Sequence, residues 1–225
     1  MKCRDLIDRA LEVGRKLQSD QTGFVHLNDP RVPEGPHETI PITENLLFIL
    51  ALFRSRSAEN IQEGKALLDH LLHFAVDGHL PYYLHEYPSC RDKYGVATHL
   101  TVLYLIATQF HTVLGEPLRN RLKSFVVEAA TKAASLNGGP ADLICLLGAV
   151  VGRIGQWQDL PELASQGWGL FEKNQGEHPL YWHAPDRLHH YITAWQVSGK
   201  KWTELEEHLE HMARWARCLC WRTRA

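Results

Sequence analysis

The chain has 225 residues, 44% of them hydrophobic and 22% charged, with a formal net charge of -2. That length is ample for a buried core, and the near-neutral charge argues against nucleic acid or an anionic membrane as a partner of the whole molecule. The five cysteines, Cys3, Cys90, Cys145, Cys218 and Cys220, include no CxxC pair, so neither a zinc knuckle nor a disulfide framework is indicated.

Residues 1–14 are charged and amphipathic, without the apolar core of a signal peptide. The most apolar run, near 143–154, is too short and too glycine-broken to span a bilayer. These features predict a cytoplasmic protein with reduced thiols, no cofactor and no membrane association.

Apolar spacing places the elements. Leu6, Ile7, Ala10, Leu11, Val13 and Leu17 predict a first helix over 5–18. The proline-rich stretch 20–41 reads as a long irregular loop. Thr43 is the expected N-cap of a second helix with an apolar body at 46–53, and Ser57 the cap of a third reaching about 76. Asp77-Gly78 is expected to end that third helix as a left-handed cap. Further helices are predicted over 94–114, from about Pro117 to 136, and over 140–151, 158–174, 186–197 and 203–221. Charged amphipathic helices alternate with shorter, apolar ones, as a ring of helical hairpins needs. The expectation is therefore one all-α domain over 1–225, with about nine helices.

Three loops, 20–42, 77–92 and 175–186, share one grammar. They read GFVHLNDP from Gly23, GHLPYYLHEYP from Gly78 and GEHPLYWHAP from Gly176. Each opens on glycine and carries a histidine (His26, His85, His183) shortly before a proline. The step from Gly23 to Gly78 is about 55 residues, a spacing in the range of repeat architectures.

Paired helices of this size with glycine-led aromatic loops resemble the (α/α) toroid of six-hairpin glycosidases and related polysaccharide-processing enzymes. The resemblance implies repeated helical hairpins forming an open or incomplete toroid, since nine helices fall short of six hairpins. It further implies a glycoside hydrolase-like domain that binds or cleaves a glycan in a cleft lined by the three loops.

Sugar hydrolysis needs two carboxyl groups, roughly 5 Å apart for retention or roughly 6.5–9.5 Å for inversion. The acidic candidates are Asp29, Glu34, Glu38, Glu44, Glu86, Asp92 and Asp186. Glu86, between Tyr83 and Tyr87, is the first choice, with Glu44 or Asp92 as its partner. Glu44 and Asp92 also suit plain helix-starting roles. Tyr82, Tyr83, His85, Tyr87, Tyr181, Trp182 and His183 are the candidates for holding a sugar.

Other chemistries stay open. Asp186, His189 and His190 share a helix face at i, i+3 and i+4, a partial metal-ligand set for a metal-dependent hydrolase, although no HExxH occurs. Cys90, with His85 and Asp92 nearby in sequence, could be drawn as a nucleophile, but closeness in sequence is a poor triad signal because triad partners meet in space. The alternative is a non-catalytic helical scaffold that binds a protein or peptide, favoured by the shortened ring and the absent catalytic signature.

Overall fold

The computed structural model describes residues 3–29, 37–136, 138–175 and 185–200. Among them are eight α-helices and one small two-stranded sheet, so the chain is all-α as expected. The ninth helix expected at 203–221, the third loop's Tyr181, Trp182 and His183, and Glu34 lie outside the described residues, as do the side chains of Asp29 and Asp186. The chain divides into two compact units, Met1–Ala129 and Ala130–Ala225. No helix among the described residues is long and apolar enough to cross a membrane.

The first unit holds α1 (Cys3–Leu17), β1 (Leu27–Asp29), β2 (His37–Thr39), α2 (Ile42–Arg54), α3 (Ala58–Leu72), a 3-10 turn at Leu84–Glu86, α4 (Val96–Gln109) and most of α5 (Glu116–Ala133). Its core is α2. Ile42, Leu46, Ile49, Leu52 and Phe53 are fully buried, because α2 packs against α1, α3 and α4. Each such side chain contributes about 1.5–3 kcal/mol of hydrophobic stabilisation. On α3, Arg15 of α1 pairs with Glu63 and donates to Asn60 Oδ1 at 3.0 Å. Gln18 ties the same region to the first loop, donating to Glu63 at 2.7 Å and to the Gly23 carbonyl at 2.8 Å.

The second unit holds α6 (Ala141–Trp157), α7 (Pro161–Asn174) and α8 (Pro185–Ser198). α6 is its centre, and its closest neighbour is α7. Gly148, Gly152 and Gly155 of α6 face Gly167 and Ala164 of α7 at backbone contact. A Cβ on Gly167 would lie 2.7 Å from Gly152 Cα and 2.8 Å from Val151 C, and one on Gly155 would lie 2.6 Å from Ala164 Cα. Arg153 of α6 caps α8, donating to the carbonyls of Val197 at 2.7 Å and Ser198 at 2.9 Å. Those carbonyls have no partner within the helix, so a guanidinium there satisfies them and suits the helix dipole.

Four local expectations change. The N-cap of α2 is Pro41 and not Thr43, because the chain is still extended through Pro41, which bridges to Tyr83. Ser57 does occupy the N-cap of α3, but its side chain makes no capping bond. α3 ends at Leu72, and Asp77 and Gly78 form a tight turn of their own, with φ of 50° and 74°. Val76 and His79 exchange both backbone hydrogen bonds around that turn, the geometry Asp-Gly favours at a hairpin tip. Finally, α6 runs on to Trp157 and not about 151, because Gly152 and Gly155 serve the α7 contact instead of ending the helix.

Candidate functional site

The first two loops are drawn together over the start of α2. Leu84 N–H donates to the Ile40 carbonyl at 2.9 Å, and Ile42 N–H donates to the Tyr82 carbonyl at 3.0 Å. The first loop is a β-hairpin in register Leu27↔Thr39, Asn28↔Glu38 and Asp29↔His37. Its base is fixed by Asn45, whose side chain is buried in the first turn of α2. Asn45 Oδ1 accepts the Val25 N–H at 2.8 Å, and Nδ2 donates to the carbonyls of Val25 at 2.9 Å and Pro41 at 2.8 Å. The amide thus plays the part of a neighbouring strand.

Where the loops meet there is an open cavity of about 310 Å³, lined by His26, Glu38, Thr39, Ile40, Leu84 and His85. His26 is fixed at both ring nitrogens. Thr22 Oγ1 lies 2.8 Å from Nε2, and Glu38 Oε1 lies 2.8 Å from Nδ1. With the hydroxyl donating to Nε2, the ring proton sits on Nδ1 and is donated to Glu38. His26 therefore shows the cavity a held ring and not a free lone pair. His85 stacks on Tyr83, ring centroids 5.5 Å apart and planes 11° apart. Thr39 Oγ1 is turned away, donating to the Leu27 carbonyl at 3.1 Å.

No family model, no curated protein and no solved structure matches the chain.

The residues singled out in the second loop have varied placements. His85 lines the cavity. Tyr83 is buried, with Tyr82 packed edge-on to it at 4.7 Å, and Tyr87 packs edge-on to Phe74 at 5.5 Å. Glu86 Oε2 accepts the Tyr82 N–H at 3.3 Å, and Asp92 Oδ1 accepts the Tyr94 N–H at 2.8 Å. Both carboxylates therefore bind their own loop's backbone, the role such groups often take before helices. Glu44 sits in the first turn of α2 with its Oε2 buried and without a hydrogen-bond partner.

Cys90 is poorly suited to be a nucleophile. Burial, and then the charges of Glu86 and Asp92, push its thiol pKa up, and the reactive form is the thiolate. In the second unit, His190 Nδ1 lies 2.8 Å from Oδ2 of the buried Asp142, and His189 is its ring neighbour at 6.1 Å. Among the described residues no three His, Cys, Asp or Glu side chains are grouped to hold a metal ion.

Three residues that sequence reasoning passed over prove important here: Thr22, Asn45 and His99. Asn45 and His99 had a visible signal, since each is a polar side chain directly beside an apolar stretch of its helix. His99 is 2% exposed, with Nε2 3.1 Å from Thr43 Oγ1 and Nδ1 buried without a partner. Burial first, and the charge of His79 second, lower its pKa to about 4 from the usual 6.5.

The folded state thus refuses a proton that the unfolded chain accepts. Stability is full above pH 6.5 and falls as the pH drops towards 4, where the folded protein protonates too. The loss should reach about 3 kcal/mol across that window. Urea unfolding at pH 7.5 and 4.5 measures it, and His99→Leu should flatten the slope; an unchanged slope in that variant would assign it elsewhere.

Proposed function

We propose that this chain binds a small carbohydrate in the cavity between its first two loops, within an open or incomplete (α/α) toroid of helical hairpins. The make-up of the cavity wall carries the reading. A sugar ring has apolar C–H faces and a rim of hydroxyls. Ile40, Leu84 and the held ring of His26 suit the faces, and Glu38 and His85 suit the rim. A volume of about 310 Å³ belongs at the small end of ligand pockets, the size of a small saccharide.

The helix arrangement supports the toroid part of the proposal. α2 and α4 are buried on most sides and pack against each other, while α1 and α3 keep exposed faces and pack on α2. A cytoplasmic setting belongs to the same proposal. Binding is favoured over two-carboxylate hydrolysis, because Glu86 and Asp92 are each engaged by a backbone N–H.

Calorimetry with a panel of neutral mono- and disaccharides tests the reading. At least one member should bind, and His85→Ala should weaken it about tenfold. A panel without a single binder would refute the proposal.

One observation favours a second reading, a scaffold for a partner protein. Leu6, Val13 and Leu17 of α1 are exposed at i, i+7 and i+11, and Leu47 of α2 is exposed too. Capture of a specific partner that Val13→Asp abolishes would support it.

A further inference from the structure

The carbohydrate reading leaves open which sugars the cavity prefers, and its electrostatics bear on that choice. Of the described residues that line it, Glu38 alone carries a formal charge when histidines are counted neutral, and neither lysine nor arginine is among them. Glu38 is 71% exposed at its side chain, so its carboxylate is open to an incoming group. One oxygen, Oε1, is held by His26 Nδ1 at 2.8 Å. Among the described residues Oε2 takes part in no hydrogen bond, so it keeps acceptor capacity for a ligand.

Resting on that carbohydrate reading, we infer that the cavity selects a sugar bearing a protonated amine over its neutral counterpart, and excludes acidic sugars. An ammonium group brings three donors and a positive charge to a fixed carboxylate, and the resulting charge-assisted hydrogen bond is stronger than one from a hydroxyl. A carboxylated or phosphorylated sugar meets Glu38 with like charge and finds no lysine or arginine on the described wall to offset it. His26 fixes the direction of the preference. By holding Oε1 it stops the exposed carboxylate from swinging out to solvent, so the amine is received at one place. Because the pair lies near solvent, salt should weaken the preference.

The test uses the full chain and three sugars of one ring type: glucose, glucosamine and glucuronate, titrated by calorimetry at low and high salt with the amine protonated. Glucosamine should bind about tenfold more tightly than glucose at low salt, and glucuronate more weakly than either. Glu38→Gln should bring glucosamine and glucose together while leaving the fold intact by circular dichroism. Equal binding of all three sugars to the wild type, or an unchanged order in Glu38→Gln, overturns the inference and leaves the carbohydrate reading standing. Ethanolamine binding as tightly as glucosamine also overturns it, because the sugar would then contribute nothing. If no sugar binds at all, the carbohydrate reading falls and this inference with it.

Discussion

Gly167→Ala is expected to cost about 3 kcal/mol and lower the melting temperature by roughly 10 °C. The added methyl would strike Gly152 N, Gly152 Cα and Val151 C, all of them backbone of α6. A side chain in the way can rotate, but helix backbone cannot, so α6 and α7 must separate. Separation also opens Gly148 and Gly155, which meet the backbone of Phe171 and Ala164 in the same seam, and loosens the fully buried Phe171. Gly169→Ala is the matched control. It lies on the same helix with nothing within 4 Å of its Cβ position. There the methyl meets open space and alanine's helix preference should add a few tenths to about 1 kcal/mol of stability. Thermal unfolding of the two variants should therefore move in opposite directions, and equal shifts would show that the seam is not tightly packed.

Asn45→Leu should cost about 3–5 kcal/mol, although leucine matches the apolar surroundings. Asn45 is 1% exposed, and losing its amide leaves the Val25 N–H and carbonyl short of partners away from water, while the Pro41 carbonyl keeps the backbone N–H of residue 45 at 3.2 Å. An unsatisfied buried group costs about 1–3 kcal/mol, and part of this is recovered through hydrophobic burial of the leucine. Asn45→Asp restores only the acceptor and adds a buried charge, so it should be no better. Both substitutions release the base of the first hairpin, so saccharide binding should fail along with stability. Urea unfolding and calorimetry on the same samples check the pair; a stable Asn45→Leu protein would mean that the amide's three bonds contribute little.

The sequence made the helices legible because their apolar residues repeat with a clear period. Leu6, Ile7, Ala10, Leu11, Val13 and Leu17 mark α1, and the unbroken apolar body of α2 announces its burial. The shared loop grammar was also meaningful, since Gly23 and Gly78 both sit at a φ of 74°, a conformation that favours glycine. Strands of three residues, by contrast, are too short to show an alternating pattern, so the hairpin Leu27–Asp29 with His37–Thr39 was hidden within a proline-rich loop. The sixth helix was expected to stop near 151, yet it runs through Gly152 and Gly155 although glycine's intrinsic preference opposes helix. A tertiary contact outweighs that preference here.

The site was half legible. Its histidines, His26 and His85, stood out from the repeated loops, and Glu38 was one of several acidic candidates. Glu86 drew attention because it lies among tyrosines, yet a loop carboxylate is as able to bind its own backbone as a ligand, and Glu86 does so. Pattern alone does not separate those uses. What brings His26, Glu38 and His85 to one cavity is the pairing of Ile40 and Ile42 with Leu84 and Tyr82, contacts about forty residues apart in the chain.

The direct measurement is to follow the imidazole resonances of His26 and His85 by NMR while titrating the tightest-binding saccharide. Both rings should shift and saturate at the concentrations that saturate the calorimetric signal, while buried His99 stays still. Saturable binding that leaves His26 and His85 unmoved would contradict the account and place the ligand elsewhere on the molecule.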